Sequence, residues 1–439
     1  MTGTCAIDFG TSNSAIALPM QAGVRLVELE PGYRTMPTAA FYAIEGLAGH
    51  EDPQVHYGRA AVGAYVSGIE GRLMRSMKSI LGSTLATQTT DVGGGRGVAY
   101  LDVVSGYLRH LKGLAEIEAG EPLSRAVLGR PVFFVDDDPK RDAAAQAALA
   151  KAAHKVGFAE ISFQFEPIAA ALDYENTVQD EQVVMVADIG GGTSDFSLVR
   201  VGPKRRQRID RKDDILANHG VHIAGTDFDR QVELKQILPT CGYGALGPSG
   251  REVPSKIYFD LATWHLINTT YGAARVSELT QMKPFYADLR QHARLLRVVK
   301  QHQGHTLIAR AEAAKIRIAE LCEAGATQSD TEPPFQIEID LSMLEAGLRV
   351  SLIEADVIAA IDADLDRIAS AAQHTLRQAG LAPNQVKALY FTGGSTGLPV
   401  LAQRIAAAFP GAKVVRGDRF SSVATGLGVH AARVFGQYG

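Results

Sequence analysis

Short apolar, β-prone runs alternate along the chain with stretches in which apolar residues return every three or four positions. That mixture predicts an α/β fold. Residues 4–9, 15–18 and 24–29 read as three successive strands with a tight turn at Gly10. Residues 126–128 read as a strand. Asp138, Pro139 and Gly157 then punctuate an alanine-rich helix that ends at Val156. A strand over 161–165 breaks at Glu166-Pro167, which opens a further helix. Strands at 183–187 and 196–201 flank a glycine-rich turn, and 228–325 is mostly helical in period. A strand at 337–341, a long helix over 353–378, a strand at 388–392, a helix through Phe409 and a last helix over 422–435 complete the pattern.

The informative feature is a repeat. Strand, Asp8-x-Gly10-Thr11-Ser12, strand returns 180 residues later as strand, Asp188-x-Gly190-Gly191-Gly192-Thr193, strand. Each copy puts a carboxylate at a strand end, then glycine, then a hydroxyl. Glycine lets backbone N–H groups approach a phosphate closely. The hydroxyl adds a donor, and the aspartate suits a Mg²⁺ ion that keeps most of its water. Both turns continue as strand, and no Gly-x-x-x-x-Gly-Lys-Ser/Thr occurs, so a pair of β-hairpins is expected to clamp a polyphosphate where a P-loop would open a helix.

Composition changes this picture little. The 439 residues carry 44 Lys plus Arg against 48 Asp plus Glu, which gives no support to nucleic-acid binding. Three scattered cysteines suggest neither a zinc cluster nor a disulfide framework and fit a reducing compartment. The N-terminus has no signal-peptide pattern, and no apolar run approaches the ~20 residues of a membrane span. A soluble, cytoplasmic protein without membrane association is expected.

Three other patterns are weighed against it. The basic run 203–212 is read as a solvated hairpin tip in preference to a polyanion patch. Gly393-Gly394-Ser395-Thr396-Gly397 fits a nucleophile elbow, yet only Asp418 and His430 follow as partners, so a serine hydrolase is disfavoured. Gly426-Leu427-Gly428 fits a loose dinucleotide fingerprint with no strand before it, and helix packing is the preferred reading.

These motifs resemble the actin-like ATPase superfamily, and within it the nucleotide-binding domain of the 70-kDa heat-shock (DnaK-type) proteins, with the short YegD-like members nearest. Residues 6–14 look like the first phosphate motif, 165–171 the connecting segment, 188–195 the second phosphate motif, 224–229 the segment closing over the phosphates, and 391–399 the adenosine motif. The resemblance implies an actin-like ATPase fold, α/β with duplicated ribonuclease H-like βββαβα lobes around a central nucleotide cleft. Lobe I would cover 1–181, with about 39–110 peripheral. Lobe II would cover 182–439, with about 228–326 a helical subdomain and a C-terminal helix, about 421–437, returning to lobe I.

It also implies roles. Lys78 is the counterpart of the catalytic lysine. Glu166, Asp188 and Thr193 would sit near the metal and the attacking water, with Asp8 and Asp188 on Mg²⁺. Gly10, Thr11, Ser12, Asn13, Gly190, Gly191, Gly192, Thr193, Gly225 and Thr226 would meet the phosphates. Glu312, Lys315, Gly393, Gly394, Ser395 and Thr396 would meet the adenosine. ATP or ADP with Mg²⁺ is the expected cofactor, K⁺ a further cation, and a protein client or partner of unknown identity is expected.

The chain departs from the family pattern at Ile316, where an arginine stacks on the base, at Thr226, where an acidic residue is usual, and at Phe420-Ser421-Ser422, where an acidic helix start is expected. No linker or β-sandwich peptide-binding domain is recognised. The expected function is therefore a slowly ATP-hydrolysing, chaperone-like protein lacking that domain. The alternatives are a nucleotide-gated protein-interaction module without significant turnover, a small-molecule kinase of the same superfamily, and a filament former.

Overall fold

The computed structural model describes residues 3–46, 51–93, 95–324 and 335–436. The end of the expected helical subdomain, residues 325 and 326, and residue 437 of the last helix lie outside them.

Two sheets share one wiring. The first holds β1 (Gly3–Phe9), β2 (Asn13–Met20), β3 (Gly23–Leu26), β4 (Leu123–Arg130) and β5 (Glu160–Phe165), in the order β5-β4-β1-β2-β3, and a sixth, short strand, Thr35–Pro37, pairs antiparallel with β2. The second is built from β6 (Gln182–Ile189), β7 (Ser194–Val201), β8 (Ile215–Val221), β9 (Val386–Thr392) and β10 (Lys413–Arg416), in the order β8-β7-β6-β9-β10. In each, the first strand pairs antiparallel with the second and parallel with the fourth, and the fourth pairs parallel with the fifth. Parallel pairing requires a long crossover. In the first sheet α1 (Tyr100–Ala119) precedes β4 and α2 (Pro139–Lys155) joins β4 to β5. In the second, helix Glu354–Gln378 precedes β9 and helix Pro399–Ala406 joins β9 to β10.

The punctuation seen in the sequence operates as expected. The Asp138 carboxylate accepts from the Arg141 N–H at 3.1 Å and caps α2, with Pro139 in its first turn. Gly157, at φ +96°, turns the chain out after that helix. Pro167 starts α3 (Glu166–Glu175). This helix and α4 (Ser422–Phe435) share one apolar core with residues of both sheets, including Ala6, Val127, Val186, Val199 and Tyr390.

The close approach of α3 and α4 explains the second glycine pattern. A Cβ on Gly426 would lie 2.0 Å from the Ala169 carbonyl oxygen, and one on Gly428 would lie 2.6 Å from a Val24 methyl. These glycines let a helix pack tightly; they make no dinucleotide turn. The basic run is indeed the connection between antiparallel β7 and β8, but not all of it is solvated. Arg211, 3% exposed, donates to both Glu175 carboxylate oxygens at 2.9 and 3.0 Å and pairs with Asp214, itself 1% exposed. Arg205 pairs with Glu181 at 2.7 Å and with Asp214.

By its contacts the chain forms two compact units. The first is 1–221 with 371–394 and 408–439, and holds both sheets. The second, 222–370 with 395–407, is mainly helical and carries the hairpin Gln336–Asp340 and Arg349–Ile353. Among the described residues no helix is long and apolar enough to cross a membrane.

His430 of α4 is 1% exposed; its Nδ1 meets the Gln164 amide at 3.1 Å and its Nε2 has no hydrogen-bond partner among the described residues. Burial, then Arg433 and Arg211, lower its pKa to about 4 from 6.5. The unfolded chain therefore binds the extra proton first. The stability tied to neutral His430 is whole above 6.5 and is lost as pH falls from 6.5 to about 4. Roughly 3 kcal/mol is expected to disappear over that window. Urea unfolding at both ends should show a smaller loss in His430→Asn than in the parent.

Candidate active site

The first turn joins β1 to β2. A Cβ on Gly10 would lie 2.3 Å from the Asn13 carbonyl oxygen, so only glycine closes this turn without moving the backbone. The turn is held from outside: Thr38 Oγ1 donates to the Gly10 carbonyl at 2.8 Å, and the Thr38 N–H donates to the Ser12 carbonyl at 2.9 Å. Thr11 and Ser12 are partly exposed and Asn13 is exposed. The second turn joins β6 to β7 and is closed by the Gly190 N–H donating to the Thr193 carbonyl at 3.0 Å. Gly191, Gly192 and Thr193 are partly exposed.

Register brings a second aspartate to the second turn. Asp188 of β6 pairs directly with Asp195 of β7. Asp195 belongs to the motif read in the sequence but was not among the expected site residues. The signal was available, because a hairpin closing symmetrically on Gly191-Gly192 must set residues 188 and 195 opposite each other.

Lys78 reaches this cluster from the peripheral part of the first unit. Residues 71–81 form two elements. Strand Gly71–Arg75 ends at Ser76, whose φ is +53°, and a helical turn Lys78–Leu81 follows. Met77, fully buried, anchors the junction. The Lys78 side chain, 9% exposed, forms an ion pair and hydrogen bond with Glu166 at the start of α3. Gly129 on β4 leaves room for that glutamate, since a Cβ there would lie 3.3 Å from Glu166 Oε1.

The electrostatics follow from crowding. Asp8 is pushed up to about 8, first by burial, then by Glu166 and Asp188, against the pull of Lys78. Asp188 is pushed up to about 7, first by burial, then by Asp195 and Glu166, again opposed by Lys78. For Lys78, burial lowers the pKa, but Glu166, Asp8 and Asp195 outweigh it and hold the ammonium above its ordinary value. Four carboxylates thus act on one ammonium. This excess of negative charge fits a divalent cation between Asp8 and Asp188. Among the described residues no group of three His, Cys, Asp or Glu side chains could hold a metal by itself. A cation here would keep much of its water, which is the habit of Mg²⁺.

Gly393 belongs to the same place. At φ +87°, a Cβ on it would lie 2.4 Å from the Ile189 carbonyl oxygen and 2.7 Å from Asp188 Oδ1. It lets β9 end against the second turn. The Gly393 N–H donates to the Arg419 carbonyl at 3.0 Å, and Thr392 shares a 2.6 Å hydrogen bond with Ser422 at the start of α4. Ahead of α4, the Asp418 Oδ1 accepts from the Phe420 and Ser421 N–H groups at 3.0 and 2.9 Å. Asp418 is a turn-forming residue and His430 is packed on Gln164.

The remaining expected residues are in the second unit, Gly394 excepted. Lys315 is 7% exposed; its ammonium donates to the Gly225 carbonyl at 3.2 Å and pairs with Asp229 at 2.5 Å. Thr226, Glu312 and Ile316 are exposed, and Thr396 is buried.

Compared with known protein families, the chain matches the family described as Hsp70 protein over residues 4–234, more than half its length. The matched span contains both turns, Lys78, Glu166 and Gly225. It stops short of Glu312, Lys315 and the 393–396 segment.

Proposed function

We propose that this chain, which belongs to the Hsp70 family, binds ATP with Mg²⁺ at the paired hairpin turns and hydrolyses it slowly. Membership carries a general ATP-binding, chaperone-like role. The observation that supports the finer reading is the crowding of Asp8, Glu166, Asp188 and Asp195 around the single ammonium of Lys78.

Hydrolysis of a γ-phosphate depends on positioning and charge stabilisation more than on covalent chemistry. Bound Mg²⁺, held by Asp8 and Asp188, would neutralise phosphate charge. The N–H groups around Gly10, Thr11, Ser12, Asn13 and 190–192 would receive phosphate oxygens. Lys78, released in part from Glu166, would face the charge that grows on the transferred phosphoryl group. Glu166 and Thr193 would orient the attacking water. Gly225 and Thr226 are assigned to the phosphate side, and Glu312, Lys315, Gly394, Ser395 and Thr396 to the adenosine. We read the two identically wired sheets as the duplicated lobes of an actin-like ATPase, lobe I as 1–181 and lobe II as 182–439. Kinship with the YegD-like members is part of the same proposal, as is an unidentified protein partner.

A second reading, a nucleotide-gated interaction module without significant turnover, is favoured by Ile316, which is 46% exposed and offers no guanidinium to a base. Calorimetric titration with ATP, ADP and GTP in Mg²⁺, followed by phosphate release on the same sample, separates the two. Under the first reading, Mg-ATP at a hundred times its dissociation constant stabilises the fold by ~2.7 kcal/mol, and phosphate appears. A thermal melt indifferent to Mg-ATP would sink both readings. Binding with no phosphate release would leave the second.

A further inference from the structure

Away from the phosphate cluster, the first unit carries a pair of histidines from separate elements. His219 lies on β8 and His374 lies on helix Glu354–Gln378, near its C-terminal end. Their ring centroids are 4.5 Å apart with the planes tilted by 55°. Neither imidazole makes a hydrogen bond to another group among the described residues, so the ring nitrogens are uncommitted. The contrast with Tyr271 and His302 is useful. Those rings stack at 4.2 Å and 8°, as faces packed on one another. A pair tilted by 55° is not such a stack, and it leaves nitrogens free to turn toward a shared point.

We propose that His219 and His374 form a two-imidazole site for a first-row transition-metal cation of the Zn²⁺ or Ni²⁺ class. Imidazole suits those ions and not Mg²⁺, which takes oxygen ligands. His374 is exposed and His219 partly so, and an ion reaches them from solvent. The field at His219 is already tuned for a ligand. Burial and His374 lower its pKa, with Asp136 opposing, so neutral imidazole, the ligating form, prevails at neutral pH. Asp136, from the segment between β4 and α2, adds a nearby negative charge that favours a cation. Because no three-residue set closes here among the described residues, water completes the shell. The site is exchangeable and does not build the fold.

The test is calorimetric titration of the nucleotide-free full chain, carrying no histidine tag, with Zn²⁺ or Ni²⁺ alone. One equivalent should bind, with Mg²⁺ unable to compete. His374→Ala and His219→Ala should each weaken binding by at least about tenfold. His302→Ala, which removes a stacked ring elsewhere, should leave it unchanged. Melting without metal checks that the variants fold, and His374→Ala, on an exposed helix surface, carries the test if His219→Ala does not. No saturable binding, or affinity that neither histidine replacement changes, or dependence on one histidine alone, would each overturn the proposal.

Discussion

Lys78→Ala is expected to cut phosphate release roughly a hundred- to a thousand-fold while the protein still takes up nucleotide. The magnitude is that for removing one preorganised charge-stabilising group. Among the described residues, Lys78 is the cation that acts on both Asp8 and Asp188. Its loss removes the positive charge facing the transferred group and leaves the Glu166 carboxylate without its ion-pair partner. Both effects raise the barrier, since anionic phosphate must then enter a site richer in negative charge. Uptake survives because the glycine turns and Asp8 and Asp188 remain. Phosphate release under single-turnover conditions, beside calorimetric ATP affinity, checks this. Unaltered turnover in Lys78→Ala would exclude this lysine from the chemistry.

Gly426→Ala is expected to destabilise the fold by about 3 kcal/mol or more, at the upper end of overpacking costs. The added methyl would overlap the Ala169 carbonyl oxygen at 2.0 Å and its carbon at 2.6 Å. Those are backbone atoms of α3 and cannot rotate away. The helices must separate, and the core shared by Ile168, Ala169, Ala424 and Leu427 opens with them. Gly113→Ala is the matched control. It sits inside α1 with nothing within 4 Å of the new Cβ, so the exchange should stabilise by up to about 1 kcal/mol through helix propensity. Urea midpoints of the three proteins decide the matter, and equal midpoints for Gly426→Ala and the parent would contradict the packing described.

Much of the site was legible because its signals are local. A carboxylate, glycines and a hydroxyl between two β-prone runs specify a hairpin turn with no information from elsewhere. The same holds for Asp138-Pro139 at the start of α2. Thr38 was not legible. It holds the Gly10 carbonyl from 28 residues away, and an isolated threonine carries no pattern. The burial of Arg211 was equally hidden, since a basic run looks solvated until Glu175 and Asp214 are brought to it.

By itself the amino-acid sequence determined most strands of the two sheets, β8 and β10 excepted, the two phosphate-type turns, the capped helices and the candidate residues Asp8, Lys78, Glu166 and Asp188. Those are properties of neighbouring residues, decided by backbone conformation and periodicity. The tertiary structure alone decided that Lys78 pairs with Glu166, that burial and neighbouring carboxylates raise the pKa values of Asp8 and Asp188, and that Gly393 and Gly426 are required by contact. Charge interaction and steric exclusion depend on distance through space, and sequence separation leaves that distance open until the chain has folded.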